Sequence, residues 1–289
     1  MNTKKRKSEK NGSYMIKLII TDLDDTLYSW IGFYIPAFYK MTKELSFLLG
    51  VSEDKIIEEF QEVHRKAGSV EPPFGAVELP SAGKRFANAT KEEIREKLDP
   101  AFHRFNSERK RLLKLYPGVE DTLKYLWERK VIIVGYTESA EENGYYRLER
   151  LGIADYFKDV YVSGSYDGRP MKKPTSPKTH VVLEKKPNPD LIIEICEKEG
   201  ISPKETIYMG DSLSKDMLMA KKAGVCSVWC HIPNGNPPEL YEKLMKISHW
   251  SKEDCEREEQ YKREWEELGY TPDFTITDFA RLKDIVEKR

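Results

Sequence analysis

Short apolar runs recur along the chain and alternate with stretches in which apolar residues have helical spacing. The first run covers residues 16–20, and β-branched residues fill another run at 131–134. Runs of this kind are typical of strands buried on both faces. From residue 115 onward, strand and helix patterns alternate, which predicts βαβ units and a parallel sheet with helices on both faces. We therefore predict an α/β fold.

Residues 31–114 show a different pattern, in which helical spacing continues without a strand signal. Pro36 is predicted to open the first helix and Gly50 to end it, because proline suits the first helical turn and glycine the C-terminal cap. Residues 70–86 are rich in proline and glycine and predict a loop. The pattern therefore predicts an all-helical segment inserted after the first strand.

Composition excludes some classes of function. The chain has 289 residues and a formal net charge of -1, and its charged residues, 34% of the total, are of both signs. This balance favours neither nucleic acid nor a membrane as the main partner. No apolar run approaches the length of a membrane span, and no signal-peptide pattern is found near Met1. Four cysteines are too few for a disulfide scaffold and suit a reducing compartment, so we predict a cytoplasmic location.

Three segments stand apart from the alternating pattern. Residues 1–13 are polar and basic and predict a disordered tail. Residues 163–185 predict a long loop, to which the sequence assigns no role. Residues 237–268 predict a charged helical insertion before a last strand at 274–276. The sequence leaves open that a protein partner or a second copy of the chain binds this insertion.

Acidic residues stand at the ends of predicted strands. Asp22 and Asp24 follow the first strand two positions apart, so in extended backbone their carboxylates face the same side. Two carboxylates this close need a cation or a shared proton between them. Thr137 and Asp211 follow later strands, and Lys186 opens a helix. Because ligands of open α/β sheets bind beyond the carboxyl ends of the strands, these residues predict a metal-assisted anion site.

The order of these motifs resembles that of the haloacid dehalogenase (HAD) superfamily. Residues 22–26, with the sequence DLDDT, are similar to its DxDxT signature, and Thr137 is similar to its second motif. Lys186, followed by proline, resembles the third motif. Residues 210–212, with the sequence GDS, resemble the fourth motif together with Asp216. Each later motif is weak alone, but the ordered set is specific.

The resemblance implies a fold and a reaction. The fold would be a Rossmann-like parallel sheet core, formed by residues 14–30 and 115–289, with an inserted all-helical cap domain of C1 type at 31–114. The reaction would be the Mg²⁺-dependent hydrolysis of a small phosphorylated metabolite by a phosphoric monoester hydrolase. The metabolite itself cannot be named from the sequence, because the geometry of the cap sets it.

The resemblance also implies roles for the motif residues. Asp22 would attack phosphorus and form an aspartyl-phosphate, and Asp24 would serve as general acid and base. Thr137 and Lys186 would hold the phosphoryl oxygens. Mg²⁺ would be held by side-chain oxygens of Asp22 and Asp211 and by the backbone carbonyl of Asp24.

Residues next to the motif positions have supporting or competing roles. Asp216 is expected to orient Lys186 or a metal-bound water, and Thr26 to hydrogen-bond the loop after the first strand. Lys185 competes with Lys186 for the site. We select Lys186 because the lysine of the family commonly precedes proline.

Substrate and reaction leave alternatives open. Lys84 and Arg85, in the glycine-containing stretch of the cap, are predicted to bind a second anionic group of the substrate, with solvated surface cations as the alternative. A phosphomutase would return the phosphoryl group to its product. A non-catalytic binding or scaffold protein that retains the fold is the alternative of a different class. Dehalogenase chemistry needs no second acid, whereas Asp24 is present here.

Overall fold

The computed structural model describes residues 14–164, 177–233 and 237–288. The predicted tail at 1–13 and residues 165–176 of the predicted long loop lie outside the described residues. Within the described ranges, no helix is both long and apolar enough to cross a membrane.

Within those ranges, seven strands form one sheet in which all neighbouring strands run parallel. In chain order they are β1 (Leu18–Thr21), β2 (Ile132–Tyr136), β3 (Asp159–Val162), β4 (Lys178–Val181), β5 (Thr206–Gly210), β6 (Cys226–Cys230) and β7 (Phe274–Ile276). Their order in space is β4-β3-β2-β1-β5-β6-β7. All residues of the central strand β1 are buried, as expected for a parallel sheet covered on both faces. The predicted Rossmann-like α/β core is confirmed.

Five α-helices, and no strand, lie between β1 and residue 114, where every residue is described. They are α1 (Trp30–Leu49), α2 (Glu53–Ala67), α3 (Pro80–Arg85), α4 (Lys91–Lys97) and α5 (Asp99–Leu112). We call this part of the chain the helical cap. α1 packs along α5 and against α2, where Phe38 and Phe60 meet edge to face with ring centroids 4.8 Å apart. The predicted inserted all-helical cap is confirmed as a feature of the fold.

Two details of the cap differ from the sequence expectation. Pro36 lies inside α1 and does not open it, because Ser29 begins the helix by accepting a hydrogen bond from the N–H of Gly32 at 2.9 Å. The stretch at 70–86 is not all loop. It contains a 3₁₀ turn at Gly75–Glu78 and the short helix α3, whose first residue is a proline.

Among the residues described after the cap there are seven further α-helices, and all but the last precede β7. They are α6 (Val119–Glu128), α7 (Glu141–Arg150), α8 (Pro189–Glu199), α9 (Leu218–Ala223), α10 (Pro238–Ile247), α11 (Lys252–Glu267) and α12 (Arg281–Glu287). A π-helical turn at Leu213–Met217 leads directly into α9.

Strand β4 lies within the stretch predicted as a long loop. It is an edge strand that pairs with β3 alone among the described strands. None of its residues is fully buried, and three of the four are polar or charged. The apolar run that marks the interior strands is therefore missing from the sequence of β4.

The predicted insertion at 237–268 forms α10 and α11, which pack on different parts of the molecule. α10 contacts α1 and α2, and there Nδ1 of the buried His64 lies 2.7 Å from the carbonyl oxygen of Ile247. α11 packs on the π-helical turn, where Ser214 Oγ donates to Glu258 Oε1 at 2.7 Å. The insertion therefore contacts both the helical cap and the sheet core.

Candidate active site

The carboxyl edge of the sheet brings together residues that follow three strands. The N–H of Asp22 donates to the carbonyl of Met209 at 2.9 Å, which extends the pairing of β1 with β5 by one residue. In the same way, the N–H of Thr137 donates to the carbonyl of Tyr161 at 2.9 Å. Asp211 follows β5 directly. The sheet itself therefore positions Asp22, Thr137 and Asp211 along one edge.

Lys186 lies between the acids of this edge and is buried. Its Nζ donates to Asp22 Oδ1 at 2.6 Å and to Asp216 Oδ1 at 2.9 Å. Burial lowers the pKa of Lys186, the carboxylates of Asp216 and Asp22 raise it, and the net pKa lies well above the usual value. Lys186 is therefore a cation. The neighbouring Lys185 is exposed, so Lys186 is the lysine that the structure places on Asp22.

Three carboxylates crowd together beside this lysine. Asp22, Asp211 and Asp216 each offer one oxygen, and these oxygens lie within 4.8 Å of one another. Burial raises the pKa of Asp22 to about 7 against the opposing charge of Lys186. Burial, followed by the charges of Asp216 and Asp22, holds the pKa of Asp211 well above its usual range. A hard divalent cation would relieve this repulsion, and the all-oxygen donor set fits such an ion.

Asp216 supports Lys186 with both of its oxygens engaged. Oδ1 also accepts from the hydroxyl of Tyr208 at 2.9 Å, and Oδ2 accepts from the N–H of Ser212 at 3.1 Å. The side chain packs against the backbone of Gly210, where an added Cβ would lie 2.4 Å from the Asp216 carboxyl carbon. Glycine is needed at this position because any side chain there would displace Asp216.

Asp24 faces a different set of partners from the crowded carboxylates. Its Oδ2 accepts from Thr137 Oγ1 at 3.2 Å and from Ser139 Oγ at 2.7 Å. Its Oδ1 accepts from Nη1 of Arg147 at 2.8 Å. Sequence reasoning did not include Ser139 or Arg147. Ser139 could have been found from its place two residues after Thr137, at the end of β2, but nothing in the sequence marks Arg147 among the charged residues of α7.

Arg147 also connects the helical cap to the site. Its Nη2 donates to Oε1 of Glu71, which follows α2. Glu71 further accepts from Trp30 Nε1 at 3.2 Å and from Asn143 Nδ2 at 3.3 Å. A cap residue therefore holds the same guanidinium that holds Asp24.

A cavity of about 730 Å³ opens over Asp22 and Lys186. Its described walls include the sheet edge, residues 67–71 of the cap, the segment that joins α10 to α11 and residues of α11. Thr26 lies beneath the site, where its Oγ1 donates to Asp22 Oδ2 at 2.9 Å. Lys84 and Arg85 are exposed on α3 and do not line this cavity. Their contact with substrate stays a prediction from sequence alone.

Comparison with known proteins identifies the family. A family model described as "haloacid dehalogenase-like hydrolase" matches residues 16–224. The chain belongs to the haloacid dehalogenase-like hydrolases. The matched range contains all four motifs at the site of this HAD-like hydrolase. The superfamily predicted from the motifs is confirmed.

Two relatives of this chain are phosphatases. A glyceraldehyde 3-phosphate phosphatase from Methanopyrus kandleri is 28% identical over 217 residues, which are 74% of this chain and 83% of that protein. A phosphoglycolate phosphatase from Vibrio vulnificus is 35% identical over 117 residues, which are 40% of this chain and 44% of that protein. The HAD-like hydrolase therefore spans less than half of the second relative. The predicted enzyme class, a phosphoric monoester hydrolase, is confirmed at the level of class.

A solved structure shares the fold. The crystal structure of a 2-haloacid dehalogenase from Pseudomonas syringae pv. Tomato DC3000 matches with a TM-score of 0.54 and 20% identity, over 94% of this chain and 99% of that one. At this identity the match supports the fold of the HAD-like hydrolase and nothing about its reaction.

Proposed function

We propose that this HAD-like hydrolase is a Mg²⁺-dependent phosphatase that cleaves a small phosphorylated metabolite through an aspartyl-phosphate on Asp22. The observation that carries the proposal is the setting of Asp22, whose two oxygens are held by Lys186 and Thr26 at the base of the cavity. A carboxylate oriented in this way is prepared for nucleophilic attack. The phosphatases among the relatives support the same reaction.

The reaction would proceed in two halves. In the first, Asp22 attacks phosphorus, the bond from phosphorus to the leaving oxygen breaks, and Asp24 gives that oxygen a proton. In the second, Asp24 takes a proton from a water whose oxygen attacks the same phosphorus, and the bond to Asp22 breaks. Inorganic phosphate is released, and both carboxyl groups return to their initial state. Thr137 and Lys186 would hold the phosphoryl oxygens.

Mg²⁺ would be held by side-chain oxygens of Asp22 and Asp211 and, as the family resemblance implies, by the backbone carbonyl of Asp24. When bound, the ion neutralises charge where a phosphate meets a carboxylate. Asp216 is better suited to positioning than to ligation, because both of its oxygens already accept hydrogen bonds from other groups, including Lys186.

Phosphate release from a panel of phosphomonoesters tests the proposal. We expect release with Mg²⁺ and none in excess EDTA. Asp22→Asn should abolish turnover and retain the circular dichroism of the parent protein, because an amide cannot act as the nucleophile. Asp155→Asn, at an exposed position outside the cavity, is the matched control and should keep activity.

The same experiment separates the alternatives. Full activity in a folded Asp22→Asn protein would refute the mechanism. A phosphomutase would convert one phosphate ester into another without matching release of phosphate, and a scaffold would do neither. The cytoplasmic location and a partner or second copy at 237–268 stay predictions from the sequence.

A further inference from the structure

The insertion contributes a wall to the catalytic cavity. His249 and Trp250, which join α10 to α11, line the cavity together with Glu258 of α11. We call these three residues the insertion wall. It is fixed on both sides, since the end of α10 bonds to His64 of the cap and Glu258 bonds to Ser214 of the sheet core. A group attached to a phosphate at Asp22 would therefore meet a preformed surface.

Two described cations in this part of the cavity are already paired with carboxylates. Lys215 Nζ lies 3.1 Å from Glu138 Oε2 and 3.8 Å from Glu258 Oε2. Arg257 Nη2 lies 2.9 Å from Asp254 Oδ1. Each of these two described cations therefore already faces at least one carboxylate of the same lining.

Lys185 is the remaining described cation of this part of the lining, and it is exposed. Backbone hydrogen bonding at Ser251 and, to a smaller extent, the charge of Lys185 lower the pKa of Asp254. The positive charge of Lys185 therefore also interacts with the carboxylate of Asp254. Among the described lining residues, every buried cation already has a carboxylate partner. A second acid group on a substrate would therefore find no free buried cation there, and it would face the carboxylates of Glu138 and Glu184.

Two side chains of the insertion wall are suited to an uncharged group. Nδ1 of His249 is buried and has no hydrogen-bond partner among the described residues. Burial, together with the charge of Lys185, lowers the pKa of His249, so its imidazole is neutral at pH 7. A neutral imidazole can bond a hydroxyl as donor or acceptor. Trp250 is 38% exposed and adds an aromatic surface that can cover a carbon chain.

We propose that the insertion wall selects phosphate monoesters whose leaving group is uncharged and hydroxylated, and that it disfavours those with a second acid group. The inference rests on the phosphatase reaction proposed above. His249 would hydrogen-bond a hydroxyl of the leaving group, Glu258 would accept from another, and Trp250 would cover the carbon chain between them.

A matched pair of substrates tests this selectivity. Glycerol 3-phosphate and 3-phosphoglycerate have the same number of carbons. The first has a hydroxymethyl group where the second has a carboxylate. Acetyl phosphate, with a small and activated leaving group, reports the phosphoryl chemistry. We expect kcat/KM of the parent protein to be at least about tenfold higher for glycerol 3-phosphate than for 3-phosphoglycerate.

Variants of the insertion wall test which residues carry the effect. Trp250→Ala and His249→Ala should each lose about tenfold more kcat/KM on glycerol 3-phosphate than on acetyl phosphate. Trp250→Arg, which adds a cation, should shift the preference toward 3-phosphoglycerate relative to Trp250→Ala. Trp127→Ala is the matched control, because Trp127 is 57% exposed on α6 and does not line the cavity. Circular dichroism checks that each variant is folded.

The outcomes are distinguishable. This inference would be overturned if the parent protein preferred 3-phosphoglycerate. It would also be overturned if the wall variants lost the same factor in kcat/KM on glycerol 3-phosphate and on acetyl phosphate. Either result would leave the phosphatase proposal intact. Absence of phosphate release from every ester and also from acetyl phosphate would overturn the proposed function and this inference with it.

Discussion

Nη1 of Arg147 donates to Oδ1 of Asp24 at 2.8 Å, and the arginine is only 3% exposed. The same guanidinium donates to Glu71 of the helical cap. Burial lowers the pKa of Arg147, the charges of Asp24 and Glu71 raise it, and the net pKa lies above the usual value, so the group stays charged. The carboxylate proposed as acid and base is thus positioned by a residue that the cap also holds.

Replacing Arg147 by lysine should slow turnover more than it weakens substrate binding. Lysine keeps the positive charge but lacks the planar fork that bonds two carboxylates at once. Because Asp24 would lose its fixed orientation, we expect Arg147→Lys to lower kcat by about 10- to 100-fold with a smaller change in KM. Steady-state kinetics on the best substrate of the panel measures this.

Arg150→Lys is the matched control for that variant. Arg150 lies on the same helix, is exposed, and should tolerate the change. Arg147→Ala should instead destabilise the fold by about 1–3 kcal/mol, because it leaves the half-buried carboxylates of Asp24 and Glu71 without their guanidinium partner. An Arg147→Lys protein with unchanged kcat, or with a change in KM alone, would show that the arginine does not position Asp24.

Gly210→Ala should damage the site through Asp216. An added Cβ would lie 2.4 Å from the carboxyl carbon of Asp216 and 2.6 Å from its Cβ, so the whole side chain must move. We expect a loss of about 1–3 kcal/mol in the free energy of unfolding and a lower kcat, since Asp216 holds Lys186. Gly83→Ala is the control, because nothing lies within 4 Å of a Cβ at Gly83. Equal stability and activity in both variants would contradict this view of the packing.

Binding of Mg²⁺ should stabilise the protein as well as support turnover. The carboxylates of Asp22, Asp211 and Asp216 lie close together and repel one another. An ion that binds only the folded state raises the free energy of unfolding by about 2.7 kcal/mol at a concentration 100 times its Kd. Thermal unfolding with Mg²⁺ and with EDTA measures this. Ca²⁺ should also stabilise the protein but should not support turnover, because its larger coordination shell tolerates poor in-line geometry.

Asp211→Asn tests the assignment of that ion to this cluster. The variant should lose most of the Mg²⁺-dependent rise in the melting temperature, whereas Asp190→Asn, at an exposed position on α8, should keep it. A stabilisation by Mg²⁺ that survives Asp211→Asn would place the ion elsewhere.

Of the residues that the sequence predicts to lie together, three are positioned by the sheet. Asp22, Thr137 and Asp211 follow buried strands, and parallel strands bring such positions to one edge whatever the connecting helices do. Arg147 and Glu71 were missed for the opposite reason. They are 76 residues apart and meet only because the cap folds over the core, and a buried arginine has no signal in a sequence where arginine is mostly exposed.

Other features were missed because a local rule did not hold in its tertiary setting. β4 lacks an apolar run because it is an edge strand without full burial, so the sequence pattern predicts a loop there. Pro36 sits within α1, where Ser29 has already begun the helix and buried aromatic residues hold its first turns. The sequence predicts that the insertion is helical and charged, but its place beside the cavity depends on the packing of α10 against the cap.

His64 connects the insertion to the cap in a way that depends on pH. Its Nδ1 lies 2.7 Å from the carbonyl oxygen of Ile247, and because a carbonyl can only accept, Nδ1 carries the proton. Burial lowers the pKa of His64 from 6.5 to about 4 against the effect of this hydrogen bond. Between these two values the unfolded chain binds more protons at this site than the folded chain. Stability therefore rises with pH through this window and is lost as the pH falls.

His64→Asn should flatten the dependence of stability on pH between about 4 and 6.5. Asparagine can place an amide N–H near the position of Nδ1 but does not titrate, so the variant avoids a cost that can reach roughly 3 kcal/mol in the parent protein at the acid end. Urea unfolding at a series of pH values measures the difference in slope. His103→Asn, at a position where the side chain is 76% exposed, should leave the slope unchanged. If the parent and His64→Asn proteins lose stability in parallel on acidification, His64 is not the group that couples the insertion to pH.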